Sequence, residues 1–200
     1  SIQDMALVDD SQTDSKSGLS IMEKQIIYEG LTFVPYLEND KICQRIKELG
    51  KQISEDYHGR EPVMICVLNG SLPFAADLFR AFDGDAEIAF IRVSSYNFTK
   101  STGEVKQLVP LTADIKGRDV IIIEDIVDTG NTIVQLNKIL SAYEPASIKL
   151  ATLLFKKVAL LHDVKPDYVG FEIPNKFIIG FGLDINNKAR NLPDIWAVKE

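Results

Sequence analysis

Cysteine, histidine and tryptophan are scarce: the 200 residues include two cysteines, two histidines and one tryptophan. Two thiols exclude a disulfide-stapled scaffold and a cysteine-rich zinc module. Cys43 falls in a helical pattern and Cys66 inside the apolar run Val63 to Leu68, so both are expected as buried free thiols of a reducing compartment. His58 and His162 have no metal-ligand spacing and are expected as surface or structural side chains. No apolar run approaches about eighteen residues, and the first residues are acidic and polar where a signal peptide is basic and then apolar. A cytoplasmic protein that does not enter a membrane is therefore expected. Positive charge is also short: 22 Lys and Arg against 29 Asp and Glu leave a net charge of −7. With no basic stripe to offset that sign, nucleic acid is not expected as a partner. A small phosphorylated substrate is still compatible, because local backbone amides and Mg²⁺ can outweigh the global charge.

What is present is an ordinary core-forming composition, 46% hydrophobic and 26% charged, enough for one domain with a real interior. Residues 1–24 read as a polar, mobile lead-in and residues 25–200 as a single domain. Ile42, Ile46, Leu49 and Ile53 recur at helical spacing through Asn39 to Tyr57, which predicts an amphipathic helix. Val63 to Leu68 is too short for a buried helix and predicts a strand covered on both faces. A helix from Leu72 to Phe82, a strand from Glu87 to Ser94 and a polar hairpin-like stretch from Ser95 to Lys106 follow. Further on come a strand from Asp119 to Glu124, a helix from about Thr132 to Tyr143 and a strand from Ser147 to Phe155. Strands alternating with helices predict an α/β fold, a twisted and mostly parallel sheet flanked by helices. The tail from Pro166 carries Gly170, Gly180, Gly182 and three prolines, and predicts a small irregular or β-rich flap rather than another βα unit.

The chemistry is concentrated in Val120-Ile-Ile-Ile-Glu-Asp-Ile-Val-Asp-Thr-Gly-Asn-Thr132. Ligands of open α/β sheets sit beyond the carboxyl ends of the strands, where this strand delivers Glu124 and Asp125. Carboxylates are poor phosphate ligands but good partners for ribose hydroxyls and for Mg²⁺. Thr129-Gly-Asn-Thr132 then opens a helix, where small residues can present several N–H groups and hydroxyls to one phosphate at the positive end of the helix dipole. Each residue alone could be a solvated acid or a helix cap. The whole string describes a sugar site beside a phosphate site.

This segment resembles the signature of type I phosphoribosyltransferases, and the resemblance continues over most of the chain from about residue 60. Leu68-Asn-Gly-Ser71, Ser94-Ser-Tyr96 with Ser101-Thr-Gly103, the long run from Lys165 to Asp184, and Arg190-Asn-Leu-Pro193 are similar to the hypoxanthine-guanine branch of that family. The resemblance implies that fold, with a core of about 60–160 and a hood from about 25–40 and 166–200. It implies that Glu124 and Asp125 hold the ribose, that Asp128, Thr129, Gly130, Asn131 and Thr132 wrap the 5′-phosphate, and that Asp128 accepts the purine proton as general base. Asn69, Gly70, Ser95, Tyr96 and Arg190 would contact pyrophosphate, with a cis peptide often found between Leu68 and Asn69. Lys156 would donate to the purine 6-oxo group, the alternative being a solvated lysine beside Lys157. Phe177 would stack on the base and Ile178 bond its edge with backbone groups, with Asp184 nearby. Glu124, Asp125 and Asp184 would serve Mg²⁺. Asn69 departs from the family, which usually has Lys or Arg there, so a cation is missing. Ser95 to Lys106 would be a closing lid.

The implied activity is transfer of a phosphoribosyl group to a 6-oxopurine, with phosphoribosyl diphosphate and the base as small-molecule partners and a homodimer or homotetramer as the assembly. The alternatives are a non-catalytic phosphoribosyl-diphosphate sensor, for which the first 25 residues are too few and too acidic to bind nucleic acid, and an enzyme for another base such as xanthine or a pyrimidine.

Overall fold

The computed structural model describes residues 24–94 and 106–200. In chain order the elements are β1 (Ile26–Tyr28), β2 (Leu31–Leu37), α1 (Asn39–Asp56), β3 (Val63–Val67), α2 (Leu72–Ala81), β4 (Glu87–Val93) and β5 (Gln107–Val109). They continue as β6 (Asp119–Val127), α3 (Asn131–Ser141), β7 (Ser147–Phe155), β8 (Tyr168–Glu172), β9 (Ile178–Ile179) and β10 (Ile195–Val198). The expected lead-in lies outside the described residues apart from Lys24, and so does the expected lid apart from Lys106.

Six strands form one sheet in the order β5-β4-β3-β6-β7-β8, parallel except for the edge strand β5. All five residues of β3 are buried, as its unbroken apolar run requires of a central strand. Period-two alternation splits the interior into two clusters. Met64, Cys66, Ile121 and Ile123 face α1 and α2, while Val63, Ile65, Val120 and Ile122 face α3. Cys66 is part of that packing, and burial pushes its thiol up to about 12, so it stays protonated. Cys43, expected buried, is only partly so and contacts Asn39.

The chain runs from β3 to its neighbour β4, then returns to lay β6 on the other side of β3. This reversal is a topological switch point, and it opens a crevice at the carboxyl ends of β3 and β6. There the structure corrects the expected length of β6, which runs three residues past Glu124. Pairing with β3 stops at Cys66–Ile123, whereas pairing with β7 continues to Val127–Phe155. Glu124 and Asp125 thus lie within a strand whose inner edge has lost its partner, rather than in a loop beyond it. β3 turns away after Val67, and the Leu68–Asn69 peptide is cis, as the resemblance implies.

The tail from Pro166 also needs correction. Tyr168–Glu172 is not part of a flap but the sixth strand of the main sheet, parallel to β7. Gly170 permits this, because a Cβ there would run into the Leu153 carbonyl. The remainder is irregular, as expected, with Phe181, Asn186, Asn187 and Ala189 at positive φ. Its two short strands join the N-terminal hairpin in a second sheet, β1-β2-β10-β9. That sheet has its own small core around Phe33, Ile179 and Trp196. It is also tied to α1, where Asn39 N donates to Asp194 Oδ1 and Asn39 Nδ2 to the Pro193 carbonyl, both at 2.7 Å.

Candidate active site

A cavity of about 290 Å³ fills the crevice, walled by Leu68 and Gly70 after β3, Ser94 at the end of β4, and the continuous run Glu124 to Ile133. The expected ribose and phosphate residues, Glu124, Asp125, Asp128, Thr129, Gly130, Asn131 and Thr132, all line it together.

Two contacts anchor the acidic end. The Asp125 N–H, which has no partner in β3, donates to Ser71 Oγ at 3.0 Å, and Asp125 Oδ1 accepts the Ile126 N–H at 2.7 Å. Ser71 is fully buried and has no role in the expectations above. Its position before Leu72-Pro73 reads as a helix cap, yet its hydroxyl makes no cap bond and serves Asp125 across 54 residues instead. Glu124 is 6% exposed, and its Oε1 has no hydrogen-bond partner. Burial, then the adjacent Asp125 carboxylate, pushes its pKa well above the ordinary carboxyl range. Asp125 is raised too, chiefly by burial, against the opposing Ile126 N–H bond and the more distant Arg190 charge. A buried acceptor with no donor, beside a second carboxylate and open to a cavity, is suited to a sugar hydroxyl or a hydrated cation.

The phosphate end is the turn into α3. Gly130 takes φ 87°, a left-handed conformation that glycine adopts freely, and it caps the helix. Asn131 N donates to Thr129 Oγ1 at 3.3 Å. The arrangement aims the amino end of an eleven-residue helix at the cavity.

Asp128 stands at the mouth with its side chain 49% exposed, and Lys156 Nζ lies 3.9 Å from its Oδ2. Lys156 is buried, unlike the exposed Lys157 beside it, so the solvated alternative for this lysine is ruled out. At 3.9 Å the pair is electrostatic rather than hydrogen-bonded, which leaves the ammonium's donors free for another acceptor.

The hood approaches from the other side. Arg190 donates through NH1 to the Gly182 carbonyl at 2.7 Å and holds NH2 at 3.5 Å from Asp184 Oδ1. Asp184 Oδ2 accepts the Asn187 N–H at 2.8 Å. Gly182 is pressed against Gly70, and Gly70 against the Asp125 carboxylate: a Cβ on either glycine would occupy its neighbour's oxygen. Arg190 and Asp184 therefore reach the cavity's wall through Gly182 and do not line it. Asn69 is exposed and outside the lining as well. Phe177 is exposed, with its ring 5.9 Å from that of Phe33, and Ile178 is buried in β9 opposite Ala197. Ser95 and Tyr96 lie outside the described residues.

Among the described residues no three His, Cys, Asp or Glu side chains are grouped as a ready-made metal site. Asp184 is thus separate from Glu124 and Asp125. That pair fits Mg²⁺, which keeps several waters and commonly takes one or two carboxylates together with substrate phosphates.

Sequence and structural comparison agree with this geometry. Residues 35–186 match the model of the phosphoribosyl transferase domain. The hypoxanthine-guanine phosphoribosyltransferase of Streptococcus thermophilus is 45% identical over 162 residues, covering 80% of this chain and 90% of that protein. The Lactococcus lactis protein of the same name is 42% identical over 164 residues, with 82% and 89% covered. A crystal structure of the Bacillus anthracis hypoxanthine-guanine phosphoribosyltransferase is 41% identical with a TM-score of 0.77, covering 83% of this chain and 96% of that one. Fold, crevice and these likenesses coincide, and the chain belongs to the phosphoribosyl transferase domain family, in its hypoxanthine-guanine phosphoribosyltransferase branch.

Proposed function

We propose that the protein is a purine-salvage transferase that moves the 5-phosphoribosyl group of 5-phospho-α-ribosyl-1-diphosphate onto N9 of hypoxanthine or guanine, giving the nucleotide and pyrophosphate. The observation that carries this reading is the convergence of Glu124, Asp125 and the Asp128 to Thr132 turn on one cavity, with the buried Lys156 ammonium 3.9 Å from Asp128.

In this reading Glu124 and Asp125 hold the ribose hydroxyls, and the N–H groups and hydroxyls of Thr129 to Thr132 take the 5′-phosphate. As N9 bonds to the ribose C1′ and the bond to pyrophosphate breaks, the purine is left with a surplus proton, which Asp128 accepts near N7. Lys156 donates to the 6-oxo group, which selects against adenine. Phe177 offers its exposed ring to the base, and Ile178 its backbone. Gly70, Asn69 and Arg190 receive pyrophosphate, with Asp184 orienting Arg190. Glu124 and Asp125 would hold Mg²⁺, with Asp184 serving a second ion, and the metal would supply charge neutralisation for the pyrophosphate leaving group. The segment from Ser95 to Lys106 closes over the ribosyl centre and keeps water from it. The described residues on either side of it are joined, with Ser94 N donating to the Lys106 carbonyl at 2.9 Å.

Residues 25–200 act as one domain, since hood residues such as Ile178, Phe181 and Ile195 share a core cluster with α1 and β3. The protein works in the cytoplasm as a homodimer or homotetramer, and no described helix is long and apolar enough to cross a membrane. Steady-state rates with hypoxanthine, guanine, xanthine and adenine at fixed phosphoribosyl diphosphate and Mg²⁺ test the assignment. Turnover with the first two and little with adenine is expected. Equal rates with adenine would overturn the role given to Lys156, and no transfer to any purine would overturn the whole reading.

A further inference from the structure

After Lys156 the chain makes a short 3-10 turn over Lys157–Ala159 and runs on to Val164. This segment passes behind the phosphate-binding turn and touches it residue by residue. Lys156 N donates to the Val127 carbonyl and Leu161 N to the Thr129 carbonyl, each at 2.9 Å. His162 Nε2 lies 2.6 Å from Asn131 Oδ1. A Cβ on Gly130 would sit 3.1 Å from Val164 Cγ2 and 3.4 Å from Leu160 Cδ2, so the turn rests on these two side chains.

Two of these contacts determine where donors point. The C=O and N–H of one trans peptide unit face opposite ways. The Thr129 carbonyl is turned outward to Leu161, which turns the Gly130 N–H inward, toward the cavity that Thr129 to Thr132 line. The Asn131 amide behaves similarly. Its Oδ1 can only accept, so His162 donates from Nε2, and the Asn131 NH₂ end is directed away from His162. Asn131 lines the cavity, and its own N–H is held by Thr129 Oγ1. With both ends of Asn131 fixed, no rotamer search remains when the ligand arrives.

We propose that His162 is a positioning residue of the phosphate site: through Asn131 it pre-orients the turn that receives the 5′-phosphate and so sets affinity for phosphoribosyl diphosphate without touching it. The proposal rests on the assignment of Asp128 to Thr132 to that phosphate made above. His162 reaches none of the reacting atoms, so its effect should fall on binding rather than on the chemical step.

The test uses the full chain with His162→Ala, His162→Gln, Asn131→Ala and the double variant His162→Ala/Asn131→Ala. Steady-state kinetics are paired with calorimetric titration of phosphoribosyl diphosphate in the presence of Mg²⁺. Loss of one hydrogen bond should raise KM and Kd for phosphoribosyl diphosphate about fivefold in His162→Ala. kcat should change less than about twofold, and KM for hypoxanthine should hold. Gln restores an N–H donor and should bring KM back to within about twofold of wild type. In the Asn131→Ala background, removing His162 should add nothing. Unchanged KM and Kd in His162→Ala, a full additive effect in the double variant, or kcat and KM falling together with no rescue by Gln would each overturn the proposal. A wild type that binds phosphoribosyl diphosphate but transfers it to no base would sink the activity alone, and the calorimetric series would still decide the role of His162.

Discussion

Replacing Glu124 with Gln should make the free protein more stable at neutral pH while weakening its hold on substrate. The carboxyl is 6% exposed, one oxygen has no partner, and burial, then the Asp125 carboxylate, hold its pKa well above the ordinary 4.5. A group whose pKa is raised on folding keeps a proton that the unfolded chain releases. The stability it contributes is complete below about pH 4.5 and is lost as pH climbs through the folded value. Gln carries no titrating proton, so that loss is absent from the variant, and its amide can donate to Asp125. Relief of a buried, unsatisfied acceptor is worth about 2 kcal/mol, which for a chain of this length corresponds to about 4–8 °C in Tm. Asp125 is raised chiefly by burial, which the substitution leaves in place. Thermal unfolding of the metal-free and ligand-free proteins from about pH 4 to about pH 8 reads the effect. The two Tm values should meet at the acidic end and separate above it, the variant higher. Saturating Mg²⁺ and phosphoribosyl diphosphate should stabilise the wild type more than the variant, because the variant keeps only one of the two ligand-binding carboxylates, that of Asp125. A Tm difference independent of pH, or a variant less stable at the alkaline end, would refute the reasoning.

Asp128→Asn should lower kcat at least about 100-fold, the usual reach of a general base, with KM for phosphoribosyl diphosphate close to wild type; near-normal turnover would remove Asp128 from that role. Lys156→Gln should raise KM for hypoxanthine about tenfold and narrow the preference over adenine, measured as the ratio of kcat/KM for the two bases. Gly182 holds φ 98° against the Gly70 carbonyl, so Gly182→Ala should cost about 3 kcal/mol, read as a lower urea midpoint. Its KM for phosphoribosyl diphosphate should rise as well, because Gly70 lies directly on the Asp125 carboxylate. Chelation with EDTA should abolish transfer, and added Mg²⁺ should restore it.

How far the sequence can be read depends on how far apart the interacting residues are. α1, β3 and β7 follow from local periodicity and appear with their expected bounds to within a residue. The string from Val120 to Thr132 is legible too, since its acids, turn and helix start all lie within thirteen positions, although its strand runs three residues past the expected end. β8 does not follow, since the glycine and proline that suggest an irregular tail reflect the close approach of Gly170 to the Leu153 backbone, seventeen residues away. Lys156 is assigned through the resemblance alone, because nothing local shows that the end of β7 is covered or sets it apart from Lys157. The two side chains that hold the site in shape are also invisible locally, since Ser71 meets Asp125 across 54 residues and His162 meets Asn131 across 31. This division has a physical origin. Groups that meet the ligand must be presented by one rigid strand-turn-helix unit, and so cluster in sequence. The groups that orient them come from whichever strands the topology lays alongside. Here the segment after β3 supplies Ser71 on one side of β6, and the segment after β7 supplies His162 on the other. The crevice at the switch point and the support for its walls are therefore set by one fact, that β6 is inserted between β3 and β7.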